Sequence, residues 1–157
     1  MSDSKPPADQ TLDRARFMTS FTPQARALGA EITRIEKGKA WGRVPYRHDL
    51  VGDPDTGVIA GGVITTVLDQ LCGAAAVSAM DVHVPIATID LRIDYMRPAK
   101  PGREVLVEAH CIKLGKDVAF VRAIAYEETP DDPIAHAAAA FMMTMKKAGS
   151  NLGEKKS

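Results

Sequence analysis

A single carboxylate stands apart in this sequence because it lies within a long apolar run. Asp69 is the only charged residue between Gly57 and Met80, a stretch of about five helical turns that predicts a helix buried on all sides by protein. An ion buried without a partner costs several kcal/mol or more, so this side chain is either hydrogen-bonded or used in chemistry. The carboxylate could act as a general base that activates water, or as a nucleophile, and the sequence leaves both roles open. The structural alternative is a carboxylate satisfied by Thr65, Gln70 or the backbone.

Two adjacent glycines, Gly61 and Gly62, lie at the start of the predicted helix. No Ser, Thr, Asp or Asn lies close enough to cap Gly61, so the first amides are predicted to be unpaired donors at the positive end of the helix dipole. Glycines let a ligand approach such amides closely, and amide donors stabilise negative charge that develops on a carbonyl oxygen. The structural alternative is that these glycines only permit tight packing or a sharp turn.

The spacing between these groups constrains how they work together. Asp69 follows Gly61 by eight residues, which is about 12 Å along a helix axis. A general base must approach its target to about 3 Å, or act through one water. If both groups serve one site, they therefore come from different subunits, and two antiparallel helices around a two-fold axis create two equivalent sites. The sequence predicts a dimer for this reason.

The elements that must position these residues are mostly strands. Strand-like runs cover residues 30–37, 39–47, 85–96, 104–114, 117–127 and 134–146. Gly38 and the Gly115-Lys116 pair mark two hairpins, and residues 51–57 form a loop dense in turn formers. Helical spacing over residues 11–28 predicts a further helix, with Pro23 as a point where it splits.

Apolar and polar residues alternate over residues 85–96, which predicts two different faces for that strand. One face carries Ala87, Ile89, Leu91, Ile93 and Tyr95, and the other carries Thr88, Asp90, Arg92 and Asp94. Thr88 is thereby predicted to share a face with charged residues. It either hydrogen-bonds water or substrate there, or serves only as a good strand former.

One apolar helix among about six strands predicts an α+β fold in which an antiparallel sheet curls around the helix. Residues 11–147 are predicted to form a single domain, between a disordered tail at residues 1–10 and a polar tail at residues 148–157. The run from Val118 to Tyr126 is apolar on both faces, so both faces need cover. We therefore expect a homo-oligomer, either a homodimer or a dimer of dimers.

Composition excludes several other classes of protein. The 157 residues carry 20 basic and 20 acidic side chains, whereas a dedicated nucleic-acid binder usually has a basic surplus. The start of the chain lacks the apolar core of a signal peptide, and the apolar run is interrupted by polar side chains, so no membrane association is expected. Cys72 and Cys111 are too few and too far apart for a disulfide framework or a zinc site, and the histidines show no metal-ligand spacing. A cytoplasmic protein without a metal site is predicted.

Three segments resemble one family: GVIAGGVITTVLD at 57–69, IDLRIDYMRPA at 89–99, and HAAAAFM at 136–142. In this order and spacing they resemble the hotdog-fold acyl-CoA thioesterases, specifically the phenylacetic-acid-degradation type within the 4-hydroxybenzoyl-CoA thioesterase superfamily. The resemblance implies a hotdog fold and hydrolysis of an acyl-CoA thioester to coenzyme A and a carboxylic acid, without metal or organic cofactor. It also implies that Asp69 is the catalytic carboxylate, that the Gly61 amide, with Gly62 beside it, polarises the thioester carbonyl, and that Thr88 assists.

The resemblance further places coenzyme A contacts at the turn after residue 95 and at the hairpin around residue 115. With His48 and Asp53 from the loop before the helix, the predicted substrate-binding residues are His48, Asp53, Tyr95, Arg97, Lys100, Lys113, Gly115 and Lys116. Two positions depart from the family: Ala60 stands where a histidine is usual, and Asp53 or Pro54 replaces a loop asparagine.

These departures keep a second hypothesis open, a non-catalytic acyl-CoA-binding protein of the same fold. A hydratase acting on enoyl-CoA is disfavoured, because no histidine lies in the loop and helix around Asp69 to pair with it.

Overall fold

The computed structural model describes residues 22–144, so the predicted tails at residues 1–10 and 148–157 lie outside the described residues. Most of the helix predicted over residues 11–28 also lies outside them. Its last part is helix α1 (Pro23–Leu28), which begins at Pro23, the residue where the sequence predicts a split. Thr22 caps this helix with its side chain, and proline is favourable in the first turn because its missing N–H would be unpaired anyway.

The predicted α+β architecture, an antiparallel sheet of six strands curled around one long helix, is confirmed. The strands are β1 (Glu31–Glu36), β2 (Lys39–Val44), β3 (Val51–Asp53), β4 (Val58–Ile59), β5 (Ile86–Tyr95), β6 (Val105–Leu114), β7 (Val118–Tyr126) and β8 (Ala135–Met143). Six of them form one sheet in the order β1-β2-β6-β7-β8-β5, and all neighbours are antiparallel. The loop predicted over residues 51–57 differs in part, because β3 and β4 pair with each other across it.

Helix α2 (Gly61–Ala79) packs on the inner face of this sheet, chiefly across β2, β6 and β7. Val67, Leu68 and Leu71 on its sheet-facing side are almost fully buried. Small residues opposite them permit a close approach. Alanines fill most inner positions of β7 and β8, and a side chain at Gly42 on β2 would lie only 3.0 Å from Leu71.

One stripe of α2 is only partly covered in the single chain, so burial of the helix on all sides stays a prediction that depends on a partner subunit. The stripe consists of Gly61, Gly62, Thr65, Thr66, Asp69, Gln70 and Gly73. Sheet and helix contacts bury the other sides of the helix. By length and composition α2 is apolar enough to cross a membrane, but 61% of it is buried inside the fold, as is usual for a core helix.

Strand β5 lies at one edge of the sheet and is ten residues long. It pairs with β8, and no strand among residues 22–144 pairs with its other edge. An open edge of this length presents backbone N–H and C=O groups that another chain can pair with.

Candidate active site

Helix α2 begins without a side-chain cap, as the sequence predicts. Ala60 occupies the N-cap position, and its carbonyl accepts a hydrogen bond from Val63 N at 3.0 Å. The amides of Gly61 and Gly62 have no acceptor within residues 22–144, and both residues are exposed. Two such N–H groups at the positive end of a 19-residue helix are suited to hold a negatively charged oxygen.

The end of β5 lies against this helix start. Tyr95 Oη donates to the carbonyl oxygen of Gly61 at 2.7 Å and also lies 2.9 Å from Thr65 Oγ1. A cavity of about 370 Å³ opens beside these groups, between β4, the first turn of α2 and the turn after β5. Tyr95 thus contacts the helix directly, in addition to lining a space where a substrate would fit.

Asp69 lies two helical turns further along α2 and is half-buried. Thr88 Oγ1 on β5 donates to Asp69 Oδ1 at 2.9 Å, and this is the only hydrogen bond to the carboxylate from the described residues. The second oxygen, Oδ2, is left for other partners. The structure therefore brings the predicted acid and the predicted auxiliary threonine together.

The face predicted for Thr88 is wrong. A β-bulge adds Ile89 to β5, so that Thr88 pairs with Phe141 and Asp90 pairs with the next residue of β8, Ala140. Thr88 therefore faces the helix, with the inward residues of the sheet, while Ile89 is 51% exposed. Without this extra residue the threonine hydroxyl would point away from Asp69.

Asp69 and the glycine amides are separated within one chain. Asp69 follows Gly61 by eight positions of the helix, which correspond to about 12 Å. Strand β5 runs past the helix in the opposite direction, with Thr88 at Asp69 and Tyr95 at Gly61. A carbonyl bound to the glycine amides is out of reach of the carboxylate of the same chain, which must approach to about 3 Å.

Arg97, a predicted coenzyme A contact, is engaged inside the chain. Its guanidinium donates to Glu127 Oε2 at 2.6 Å, to Asp132 Oδ1 at 3.0 Å and to two backbone carbonyls. Glu127, whose side chain is 1% exposed, also accepts from Lys100 N at 2.6 Å. The hydrogen bond to Glu127 is the main cause that raises the pKa of Arg97 above its ordinary value. Arg97 therefore fixes the turn after β5.

The remaining predicted contacts lie at two ends of the fold. Lys113, Gly115 and Lys116 belong to the β6–β7 hairpin, and both lysines are exposed. Strand pairing connects Leu114, Ala119, Phe141 and Thr88 in one row across the sheet. The hairpin therefore lies at the Thr88 end of β5, whereas Lys100 follows the Tyr95 end.

His48 and Asp53 lie in the segment that leads into α2. The His48 ring is exposed and makes an edge contact with Tyr46, with 5.8 Å between ring centroids. Asp53 accepts from Thr56 Oγ1 at 2.6 Å and from Asp55 N at 3.1 Å. The Thr56 hydrogen bond, followed by that of Asp55, lowers the pKa of Asp53. Both oxygens of this acid thus stabilise the turn between β3 and β4.

Sequence reasoning missed two parts of the site. Thr65 was considered only as a partner of Asp69, yet it contacts Tyr95. Glu127 was not singled out, although it is one of two polar residues that are buried in the described chain. The sequence offers a weak signal for Glu127, since an acid that follows an apolar strand needs a cation if it is buried. Its partner Arg97 lies thirty residues away in the sequence, so the pair itself is visible only in the structure.

Comparison with known proteins supports the family. Residues 56–134 match the thioesterase superfamily. The medium/long-chain acyl-CoA thioesterase YigI of Escherichia coli K12 is 32% identical over 119 residues, which cover 68% of this chain and 76% of YigI. The chain belongs to the thioesterase superfamily. For a putative esterase of Halobacterium salinarum, the matched part covers 61% of that relative.

Solved structures support the fold. A protein from Pseudomonas aeruginosa is 37% identical with a TM-score of 0.77, over 85% of this chain and 99% of that one. The PaaI protein from the phenylacetic acid degradation operon of E. coli has a TM-score of 0.78 at 16% identity, over 89% of this chain and 97% of PaaI, and so supports the fold alone. The predicted thioesterase superfamily and the hotdog fold are confirmed.

Proposed function

We propose that this protein hydrolyses acyl-CoA thioesters to coenzyme A and a carboxylic acid, at two equivalent sites that the chains of a homodimer share. The protein is a thioester hydrolase by family, as the sequence predicts, and its relative YigI is named a medium/long-chain acyl-CoA thioesterase. One observation supports the shared site above all. The acid on α2 and the free amides at the start of α2 are about 12 Å apart in a single chain.

Pairing of two β5 edges would join the two halves of each site. An antiparallel β5–β5 pair around a two-fold axis sets the Thr88 end of one strand beside the Tyr95 end of the other. Asp69 of one subunit then faces Gly61 and Gly62 of the partner subunit. The same contact covers the exposed stripe of α2. Two dimers could further associate through the outer face of the sheet. Phe120 and Met142 on this face are 43% and 47% exposed, and such apolar side chains are suited to an interface.

The chemistry follows from these two sets of groups. Thr88 holds Asp69 Oδ1, so Oδ2 either takes a proton from an attacking water or attacks the thioester carbon to form an anhydride that water opens. In both routes the carbonyl oxygen becomes negatively charged, and the amides of Gly61 and Gly62 stabilise it. The C–S bond breaks when this tetrahedral adduct collapses, to the acid in the first route and to the anhydride in the second, and coenzyme A leaves as a thiolate that takes up a proton.

The dimer also gathers the cations proposed to bind coenzyme A. Lys113 and Lys116 lie at the Asp69 end of one subunit, and Lys100 lies at the Gly61 end of the partner subunit, so the three surround one site. Their side chains are exposed and suit phosphate groups. Arg97 supports this surface indirectly by holding the turn that carries Lys100.

We further propose that the protein acts in the cytoplasm without metal or organic cofactor. The carboxylate supplies the base or nucleophile and the amides supply the anion donors, so both requirements of thioester hydrolysis are met by the chain itself. The balanced charge supports a small-molecule substrate in preference to nucleic acid.

Hydrolysis by the parent protein and by Asp69→Asn tests the proposal. Short, medium, long and aromatic acyl-CoAs are supplied, and free thiol is measured with a thiol-reactive dye. Asp69→Asn keeps the shape of the side chain but removes the base, so the rate is expected to fall by about 10²–10⁴-fold. Asp81→Asn is the matched control, because that acid is 86% exposed and pairs with Lys37 on the surface. Asp69→Asn protein that hydrolyses at the parent rate would overturn the assignment.

The same experiment decides the alternative of a non-catalytic acyl-CoA-binding protein. Ala60, which provides no side-chain group at the start of α2, favours this alternative. It predicts saturable binding of acyl-CoA by the parent protein with no release of free thiol.

A further inference from the structure

Tyr95 makes two hydrogen bonds whose direction can be assigned. A carbonyl oxygen only accepts, so the single hydroxyl proton of Tyr95 goes to Gly61 O, 2.7 Å away. The contact between Tyr95 Oη and Thr65 Oγ1, at 2.9 Å, therefore uses the threonine proton. The two hydrogen bonds therefore form a chain in which Thr65 donates to Tyr95 and Tyr95 donates to the Gly61 carbonyl.

The neighbouring threonine shows what Thr65 would do without Tyr95. Thr66 Oγ1 donates to Gly62 O, four residues earlier, at 2.9 Å, which is the ordinary bond of a threonine within a helix. The equivalent acceptor for Thr65 is Gly61 O. Tyr95 takes that acceptor instead, so a local bond is replaced by a connection between helix α2 and strand β5.

The acceptor of this connection belongs to the peptide that carries a free amide. The Gly61 carbonyl and the Gly62 N–H form one planar peptide unit, and the Gly62 N–H has no acceptor within residues 22–144. A hydrogen bond donated to a carbonyl polarises its peptide and strengthens the N–H on the other side. It also fixes the orientation of that plane.

We infer that Tyr95 is a positioning residue, whose hydroxyl orients and polarises the Gly61–Gly62 peptide so that the Gly62 N–H holds the thioester oxygen. This inference rests on the proposed function. It changes the role expected for Tyr95 from the sequence, because its hydroxyl acts on the helix and not on coenzyme A. Strand β5 then fixes both halves of the chemistry, Asp69 through Thr88 and the glycine peptide through Tyr95.

Steady-state kinetics of Tyr95→Phe separate these roles. Loss of polarisation is expected to lower kcat about tenfold, less than the 10²–10³-fold loss typical of removing an oxyanion donor, while KM for acyl-CoA stays within about twofold. Tyr126→Phe is the matched control, because it removes a hydroxyl that donates to Glu108 at 2.6 Å on the outer face of the sheet. A raised KM with unchanged kcat would make Tyr95 a coenzyme A contact, and unchanged values of both would make it purely structural. Either result overturns the inference.

A spectroscopic readout keeps the inference testable independently of activity. In protein labelled with ¹⁵N-glycine, Tyr95→Phe is expected to shift the Gly62 amide resonance, whereas Tyr126→Phe leaves it unchanged. Thr65→Val, which removes the donor to Tyr95, is expected to shift the same resonance less. If the parent protein hydrolyses no acyl-CoA, the proposed function fails and the Gly62 resonance alone decides the role of Tyr95. An unchanged Gly62 resonance overturns that role.

Discussion

Replacing Arg97 by alanine tests whether this side chain belongs to the fold or to the substrate site. The change leaves Glu127, whose side chain is 1% exposed, with the Lys100 amide as its remaining partner. Removal of one partner from a buried ion pair costs about 3–5 kcal/mol. Because the Lys100 amide stays and Arg97 is itself 22% exposed, we expect a loss of about 3 kcal/mol in the free energy of unfolding.

Urea unfolding, followed by circular dichroism at one fixed protein concentration, measures this loss. Arg103→Ala is the matched control, since its ion pair with Glu128 is 56% and 55% exposed, lies away from the β5 edge and should contribute less than about 1 kcal/mol. The reasoning is refuted if Arg97→Ala is as stable as Arg103→Ala and shows a raised KM for acyl-CoA instead. Arg97 would then be a coenzyme A contact.

Three further changes test the site, the interface and the core. Thr88→Val removes the described hydrogen bond to Asp69. A hydrogen bond to a charged group contributes about 1.5–3 kcal/mol, so steady-state kinetics should show kcat lowered about tenfold at similar KM. A change in KM alone would contradict this. Ile89→Glu places like charges on the open edge of β5, where the two subunits are proposed to pair. Light scattering should then show a monomer, and the thiol assay should show that hydrolysis is lost. A fully active dimer would place the interface elsewhere. Burial, then the charge of Asp69, raises the pKa of Cys72 to about 12, and burial raises that of Cys111. Since the thiolate is the reactive form, a thiol dye at pH 8 should label folded protein slowly, Cys111 before Cys72, and urea-unfolded protein fast; rapid labelling of Cys72 in folded protein would contradict this.

The helix and its lone acid were predictable from the sequence because both depend on local chemistry. An apolar run with one charge predicts a core helix, and a glycine pair without a nearby capping side chain predicts free amides. The distance between Asp69 and Gly61 also follows from helix geometry alone. A site shared by two subunits is therefore predictable from the sequence.

The face of Thr88 was not predictable in the same way. Residues 85–96 alternate without interruption in the sequence, but alternation assumes that every residue of the strand is paired. The bulge at Ile89 depends on how β5 fits against β8, where Phe141 and Ala140 fix the positions of Thr88 and Asp90. That information belongs to the pairing of two distant strands.

The role of Arg97 depends on a contact of the same kind. Arg97 and Glu127 are thirty residues apart, and the sequence alone treats the first as a cation at a turn. Burial of Glu127 changes this, because a buried acid requires a partner at close distance. The lysines, in contrast, are exposed, Lys100 pairs with Glu128 at 3.9 Å on the surface, and their contact with coenzyme A stays a prediction.

Mixing two inactive variants tests the shared site most directly. Asp69→Asn removes the acid, and Gly61→Pro removes the first amide at a position where proline fits, because Ala60 before it is extended with ψ of 134°. After the two are unfolded and refolded together at equal concentration, random pairing makes about half of the dimers mixed. Each mixed dimer has one site with both native groups and one site with neither.

The account predicts that the mixture recovers about a quarter of the parent hydrolysis rate, although each variant alone is nearly inactive. Asp69→Asn mixed with the double variant should recover nothing, which excludes an effect of refolding. A mixture of the two single variants that stays as inactive as its components would show that Asp69 and Gly61 act within one chain, or not at one site at all.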